Sequence, residues 1–320
     1  MKAKVLVTEP IHQVGWDLLA AEAEVCSWTG TEPLVKALEA ARGVIVRSAR
    51  MSEEIIRSAK HLKIIAKHGT GYENIDLAAA TACGIVVTST RAANSQSVAE
   101  HALALLLAVA RRVGEYTQDL LGGKPQPRQA YQGIELSGKV LGIIGVGQSG
   151  LRLARMAAGG LGMRVLGHDP YRDPWPQGIE RVLELGALLS AADCVSIHAP
   201  LTDQTRNLIG REALALMKPT CVLVNTSRGG IVDEAALAEA IRDRRLAGAG
   251  LDVVANEPIE PDHPLVGLPR VLLTPHIAGV TEESMINMAR DSAEEVLRVL
   301  RGERPRHPLN PEVLDRAGRR

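Results

Sequence analysis

The chain has 320 residues, enough for about two domains and for a core that needs no disulfide or metal staple. Lys plus Arg and Asp plus Glu both number 37, so the formal net charge is zero, which excludes a globally basic nucleic-acid binder. Apolar residues make up 46% and charged residues 23%, which excludes a wholly disordered chain; the absence of Phe leaves Leu, Val, Ile and Ala to fill the core and argues against an aromatic platform for single strands.

Short apolar runs alternate with helical patterns at the start of the chain. Val5-Leu6-Val7, Gly43-Val44-Ile45-Val46, Ile64-Ile65-Ala66 and Ile85-Val86-Val87 read as strands, with helical stretches at 13–22, 33–41, 53–60 and 74–82. Continuous runs of this length suit parallel strands buried on both faces, each joined to the next by a helix. Thr8-Glu9-Pro10 ends the first run, which is too short for a signal peptide. A helical pattern then extends from Ser95 to about Leu121, with Val98, Ala102, Leu105, Leu106, Val109 and Val113 at helical spacing, and Gly122-Gly123-Lys124-Pro125 stops it. It reads either as a connector between domains or as one long core helix. Its apolar stretch Ala102–Ala110 is about half of what spans a bilayer, so a cytoplasmic protein with no membrane partner is expected.

A second series follows. Val140–Ile144, Val165–Gly167, Cys194–Ile197, Cys221–Val224, Ala249–Leu251 and Val271–Leu273 read as strands, and the last helix as Glu282–Leu300. The Pro- and charge-rich tail Gly302–Arg320 reads as surface coil. Cys26, Cys83, Cys194 and Cys221 show no C-x-x-C spacing and are expected as buried or half-buried thiols, with no metal site. The fold class is α/β with parallel sheets.

The strand Val140–Ile144 leads directly into Gly145-Val146-Gly147-Gln148-Ser149-Gly150, and a helical pattern follows. This is G-x-G-x-x-G in a strand–turn–helix context. Gly145 suits the tight turn, Gly147 lets the backbone approach a pyrophosphate, and Gly150 lets helix pack close on strand. Gln148 and Ser149 complete the loop at a helix start, where N–H donors are free. Asp169, 19 positions beyond Gly150, stands where an acid would accept from adenosine ribose hydroxyls and repel a 2′-phosphate, which predicts NAD over NADP. A glycine turn followed by a surface acid would look the same, and Arg172 nearby could accept a 2′-phosphate.

Three polar residues stand beyond strand ends in the second series: Arg228 in Asn225-Thr226-Ser227-Arg228-Gly229, Glu257 in Val254-Ala255-Asn256-Glu257-Pro258 and His276 in Thr274-Pro275-His276-Ile277. Ligands of open α/β sheets bind outside the carboxyl ends of strands, so these residues can converge on a cofactor's edge. Hydride transfer from a C–OH needs a base for the hydroxyl proton, which a His supplies. A carboxylate beside it would favour the protonated ring and orient it, and an Arg could hold a substrate carboxylate and polarise the reacting oxygen. Singly, they would read as a surface Arg, a turn Glu and a capping His.

With these segments, the chain resembles the D-isomer-specific 2-hydroxyacid dehydrogenase family, which includes D-3-phosphoglycerate dehydrogenases and glyoxylate/hydroxypyruvate reductases. Further segments carry the likeness: Lys67-His68-Gly69-Thr70-Gly71-Tyr72-Glu73-Asn74-Ile75-Asp76, Ser97-Val98-Ala99-Glu100-His101, His198-Ala199-Pro200-Leu201-Thr202 and Leu251-Asp252-Val253. The resemblance implies that Arg228, Glu257 and His276 are the catalytic trio and that Asp252 holds the nicotinamide carboxamide. It implies that backbone N–H groups at Gly69, Thr70 and Gly71 grip the substrate carboxylate, that Thr226 and Ser227 line the nicotinamide pocket, and that His198, Ala199, Pro200 and Leu201 wall the adenosine. It implies two Rossmann-like doubly wound domains, with a cofactor domain (98–283) inserted in a discontinuous substrate domain (1–97 plus 284–320). A homodimer through the cofactor domain, a small 2-hydroxy or 2-keto acid as substrate and NAD as cofactor follow from the same likeness, with no nucleic-acid partner.

Lys67 stands where phosphoglycerate dehydrogenases tend to carry an Arg that meets the substrate phosphate. With His68 it suggests a site for a distal anionic group, although Lys67 at a strand end could equally point to solvent. The chain stops near residue 320, so the serine-responsive C-terminal domains of longer phosphoglycerate dehydrogenases are not expected. Pro125-Gln126-Pro127-Arg128 lacks the Trp that the family often carries there. His276 lacks the following aromatic of D-lactate dehydrogenases, and Glu257 is Gln in the formate branch, so both branches are disfavoured. Thr70 stands where phosphite dehydrogenases carry Lys. The alternative from another class is an NAD(H)-sensing binding protein, since the family also includes corepressors; the intact trio favours catalysis.

Overall fold

The structure is a computed structural model and describes residues 2–130 and 132–317. It divides into two compact units, Met1–Asn94 with Val280–Arg320, and Ser95–Gly279.

Unit 1 begins with β1 (Lys4–Val7), α1 (Gln13–Glu22), β2 (Glu24–Ser27), α2 (Leu34–Ala37), β3 (Gly43–Val46), α3 (Glu53–Ser58), β4 (Ile64–Lys67), α4 (Leu77–Ala82) and β5 (Val86–Ser89). The strands form one parallel sheet in the order β2-β1-β3-β4-β5. β3, β4 and β5 are buried along their whole length, as their uninterrupted apolar runs require. β2 is not announced by such a run. It is an edge strand paired only with β1, in the register Val5↔Val25, and its outer positions are exposed. Side chains cap the helices: Ser52 Oγ accepts the Ile55 N–H and an Asp76 carboxylate oxygen accepts the Ala79 N–H.

Unit 2 opens with α5 (Ser95–Ala110) and α6 (Val113–Leu121). One helix is expected here, but Arg112 adopts a left-handed conformation (φ 53°) and divides it. Arg112 pairs with Glu115 and lies 4.6 Å from the Tyr116 ring, while the backbone of Gly114 presses on Leu272, where a Cβ would stand 2.3 Å from Cδ2. The break thus brings the first turn of α6 against Leu272 of β12. Then come β6 (Val140–Ile144), α7 (Gln148–Leu161), β7 (Arg164–His168), β8 (Glu180–Arg181), α8 (Leu185–Ala191), β9 (Cys194–Ile197), α9 (Arg211–Leu216), β10 (Val222–Asn225), α10 (Glu234–Arg242), β11 (Gly248–Leu251) and β12 (Val271–Leu273). The seven strands are parallel, in the order β12-β11-β10-β9-β6-β7-β8. α5 and α7 cover one face with Ala102, Leu106, Leu153 and Ala157; Leu188, Ile209, Leu237 and Leu246 fill the other. Cys194 and Cys221 are buried in these cores, and burial pushes the Cys194 thiol up to about 12. Cys26 is half-buried, but Cys83, at the end of α4, is exposed, against the expectation.

The chain returns to unit 1 through α11 (Glu282–Leu300) and α12 (Glu312–Ala317). Thr281 and Ser284 form a capping box at the start of α11. α11 lies on α1, β3 and β4, and Gly15 of α1 permits this approach: a Cβ there would stand 2.6 Å from Ala289 O. The tail is not the surface coil expected. Leu309 N donates to Val87 O at 2.7 Å, and the buried Asn310 accepts from Val87 N at 2.8 Å and donates to Ile85 O at 2.9 Å. Asn310 satisfies backbone groups that β5, as an edge strand, would otherwise leave open.

Both sheets reverse their winding direction once, between β1 and β3 in unit 1 and between β6 and β9 in unit 2. Such a reversal splays two loops at the carboxyl ends of neighbouring strands and opens a crevice there.

Candidate active site

The glycine loop stands at the reversal of unit 2. Gly145 follows β6 with φ 88°, and a Cβ on it would lie 2.6 Å from Ala199 N in the loop after β9. Only a glycine permits both that conformation and that approach. At Gly147, by contrast, a Cβ would meet nothing within 4 Å, so the space beside this backbone is open. Gly147 caps α7 without a side-chain hydrogen bond, leaving first-turn N–H groups for an anion. Gln148 is exposed and Gly150 is buried, its Cα side within 2.4 Å of Gly145 O where a Cβ would be.

Asp169 follows β7. Its Oδ2 accepts the Val146 N–H at 3.0 Å and its Oδ1 the Tyr171 N–H at 3.1 Å, which sets the carboxylate beside the glycine loop. Ser149 Oγ lies 3.1 Å from His198 Nδ1, and His198 Nε2 lies 2.9 Å from Ser196 Oγ. Burial lowers the His198 pKa to about 4, so this ring is a neutral bridge between α7 and β9. Ala199 is buried and Pro200 exposed.

The loops after β10, β11 and β12 stand on three neighbouring strands. After β10, the buried Asn225 shapes the turn: its Oδ1 accepts from Ser227 N at 3.0 Å and its Nδ2 donates to Arg228 O at 2.8 Å. Thr226 Oγ1 is buried and has no hydrogen-bond partner among the described residues. Arg228 Nη1 donates to Ser227 O at 2.7 Å. After β11, Asp252 is 1% exposed and accepts from Thr274 Oγ1 at 2.6 Å, Ile277 N at 2.9 Å and Ala278 N at 2.8 Å. Its backbone O accepts the His276 N–H at 2.8 Å. These bonds hold His276 at φ 54°, a left-handed conformation that a histidine seldom adopts unaided.

The result is a carboxylate–imidazole pair at the surface of unit 2. Glu257 Oε2 lies 2.7 Å from His276 Nδ1, while Glu257 Oε1 accepts the Val254 N–H at 3.3 Å. Nε2 of His276 makes no hydrogen bond among the described residues. A pocket of about 460 Å³ is lined in part by His276 together with Asp252, Glu257, Pro258, Ile259 and Thr274. His101 and Thr274 are functional candidates that the reading from motifs did not single out. His101 Nε2 lies 3.0 Å from Thr274 Oγ1 and 3.5 Å from Asp252 Oδ1, backing the Asp252 network from α5. His101 sits within a segment that carries the resemblance, but nothing there announces its partner.

In unit 1, Gly69 N donates to Thr90 Oγ1 at 3.0 Å and Thr70 Oγ1 to Asn94 Oδ1 at 3.1 Å. The N–H groups of Thr70 and Gly71 have no acceptor among the described residues. Lys67 and His68 turn back into the unit. Lys67 Nζ donates to Arg47 O and, at 2.8 Å, to Asn74 Oδ1. His68 is 2% exposed, and burial, with the nearby Arg47 charge second, lowers its pKa to about 4. Its ring is therefore neutral at pH 7 and offers no charge to a distal anion.

The match with known proteins agrees with this geometry. Residues 103–278 match the family described as D-isomer specific 2-hydroxyacid dehydrogenase, NAD binding domain. A D-3-phosphoglycerate dehydrogenase of Archaeoglobus fulgidus is 39% identical over 313 residues, which are 96% of this chain and 59% of that protein. The chain thus spans about three-fifths of the phosphoglycerate dehydrogenases it matches. A glyoxylate reductase of Korarchaeum cryptofilum is 39% identical over 98% of each chain. The crystal structure of a protein from Thermus thermophilus superposes with a TM-score of 0.87 at 38% identity, covering 96% of this chain and 99% of the other. The chain belongs to the D-isomer specific 2-hydroxyacid dehydrogenase family, with the two-domain Rossmann-like fold of its relatives. The cofactor of the matched domain is a nicotinamide dinucleotide. The open backbone at Gly147, the uncapped start of α7 and the orphaned Thr226 hydroxyl fit such a group.

Proposed function

We propose that the protein is an NAD-dependent oxidoreductase acting on C2 of a small D-2-hydroxy or 2-keto acid. The observation that carries this reading is the His276–Glu257 pair, which lines a pocket at the carboxyl edge of a dinucleotide-binding sheet. When bound, the nicotinamide supplies or accepts the hydride at C2. Glu257 accepts the Nδ1 proton of His276, which fixes the ring and leaves Nε2 to give a proton to the substrate oxygen in reduction or take it in oxidation. Glu257 also offsets the charge of the protonated ring. Arg228 holds the substrate carboxylate or carbonyl, and the N–H groups of Thr70 and Gly71 grip the carboxylate. Gly145–Gly150 hold the pyrophosphate, Asp169 selects NAD by accepting from the ribose, and Thr226, Ser227 and Asp252 line the nicotinamide pocket. His198, Ala199 and Pro200 wall the adenosine. Because Lys67 is tied to Arg47 O and Asn74, and His68 is neutral, unit 1 favours short acids over doubly anionic ones.

His276→Asn should lower turnover by about a thousandfold or more while NADH affinity, read by fluorescence titration, stays within a few-fold. Near-normal turnover would overturn the proton-transfer assignment. NADH oxidation across glyoxylate, hydroxypyruvate, pyruvate, phosphohydroxypyruvate and 3-sulfopyruvate fixes the substrate class; preference for the last two would restore a distal anion site at Lys67. Unit 2 also presents α6, none of whose residues is buried, with Leu120 and Leu121 65% and 77% exposed. We infer that a second copy covers this face, forming a homodimer through unit 2. Sedimentation should give a dimer that Leu121→Glu weakens.

A further inference from the structure

Unit 2 holds a second carboxylate–imidazole pair. Glu234 is the first residue of α10, and His263 lies in the turn between β11 and β12. His263 Nε2 lies 2.9 Å from Glu234 Oε2, and both side chains are only 13% exposed. His263 Nδ1 accepts the Leu265 N–H at 3.3 Å, so the ring proton sits on Nε2 and is donated to the carboxylate. The other oxygen, Glu234 Oε1, accepts the Ala255 N–H at 2.7 Å. Ala255 belongs to the loop that carries Glu257, and its neighbour Val254 donates to Glu257 Oε1. The same loop is pressed on the backbone of Gly229, where a Cβ would stand 1.9 Å from Val254 O. Glu257 itself is more than a third exposed, and its bonds run to Val254 N and His276, so the loop backbone sets where its carboxylate lies.

We propose that Glu234, held by His263, is a positioning residue that clamps the loop 253–258 and so keeps Glu257 against His276. Neither residue borders the pocket beside His276. The inference rests on the acid/base reading above and deepens it: the pair Glu257–His276 is aligned by a half-buried pair one step behind it. Glu234 also keeps the Ala255 N–H paired; this donor lies at the surface, so without Glu234 it is left to water and the loop loses its tether to α10.

Three variants separate the contacts. Glu234→Ala removes both bonds. His263→Asn keeps an acceptor for the Leu265 N–H but removes the donor to Glu234, and His263→Gln restores a donor near the Nε2 position. Glu234→Ala should lower kcat ten- to a hundredfold by rough estimate, with KM changed less than threefold and NADH affinity unchanged. His263→Asn should lower kcat about threefold to tenfold, with partial rescue by Gln. In cofactor-free protein with ¹⁵N-labelled histidine, the downfield Nδ1–H proton of His276, assigned by its absence in His276→Asn, should broaden or vanish in Glu234→Ala. In a Glu257→Gln background the further effect of Glu234→Ala on kcat should be less than twofold. Full additivity in that cycle, or an unchanged Nδ1–H signal with normal kcat, would overturn the proposal. If Glu257→Gln alone leaves kcat and the His276 signal unchanged, the acid/base reading fails instead. If Glu234→Ala does not fold by circular dichroism, His263→Asn and its Gln rescue decide the matter.

Discussion

At the reversal of the five-stranded sheet, the N–H groups of Arg47, Ser48 and Ala49 close on the carboxylate of Glu9, at 2.9, 2.8 and 2.6 Å. At the reversal of the seven-stranded sheet the corresponding loop is glycine, and the space beside Gly147 is open. Both crevices offer backbone donors to an anion, as their shared winding dictates. Unit 1 supplies the anion from its own chain. Burial alone would raise the Glu9 pKa, but the Thr8 hydroxyl and the three N–H groups outweigh it and hold the carboxyl below its usual range. Unit 2 leaves the position to a ligand. A topological crevice is therefore a binding site only where the sequence declines to fill it.

The largest expected effect comes from filling the open one. Gly147→Val should weaken NADH binding by about a hundredfold or more, since a side chain there would exclude the pyrophosphate, while the melting temperature shifts by no more than about 2 °C. Unchanged affinity would place the dinucleotide elsewhere. Emptying the filled crevice is the converse. Glu9→Ala should cost about 2 kcal/mol of stability in denaturant titrations and leave NADH affinity alone, because three N–H groups lose their acceptor. Since the folded pKa of Glu9 is lowered, its contribution is present above its unfolded pKa and fades as pH falls through the folded value. A flat acid limb for wild type against Glu9→Gln would show the carboxylate to be idle.

Asp169→Ala, beside the open crevice, should shift the kcat/KM ratio of NAD over NADP by about tenfold. An unmoved ratio would remove Asp169 from the ribose site. The smallest effect concerns His68. Its folded pKa of about 4 lies below the ordinary imidazole value, so the unfolded chain binds the extra proton between them. Between pH 7 and 5.5 this should cost about 1 kcal/mol of stability, a loss that His68→Gln removes; equal slopes for both proteins would mean that the ring is not held neutral.

Central strands and the glycine loop are legible in the sequence because their determinants are local. A parallel strand buried on both faces is an unbroken apolar run, and the loop is a contiguous motif between strand and helix. The edge strands β2 and β8 carry no such run, since each pairs on one side only. The break falls at Arg112 itself, a good helix former, and the nearby Gly114 alone does not stop a helix; the break is fixed by Glu115 three residues on and by Leu272, which only folding brings to Gly114. The meeting of Glu257 with His276 is legible because β11 and β12 are neighbours. The placement of Lys67 is not. Whether a lysine at a strand end reaches outward or back is decided here by Asn74 and the Arg47 carbonyl, which no pattern around residue 67 reveals. The Glu234–His263 pair is hidden for the same reason, its members being 29 residues apart and joined only through the fold.

The return of the chain to unit 1 has a consequence for the order of synthesis. α11 supplies buried cover for β3 and β4, and residues 308–310 seal the edge of β5. During translation, residues 95–279 can complete their own sheet as one continuous stretch. The strands made first must wait for residues near 310, with apolar faces and a hydrogen-bonding edge uncovered meanwhile. Of the two units, the one whose strands are made first is therefore finished second, and that interval is when it most needs protection from its neighbours.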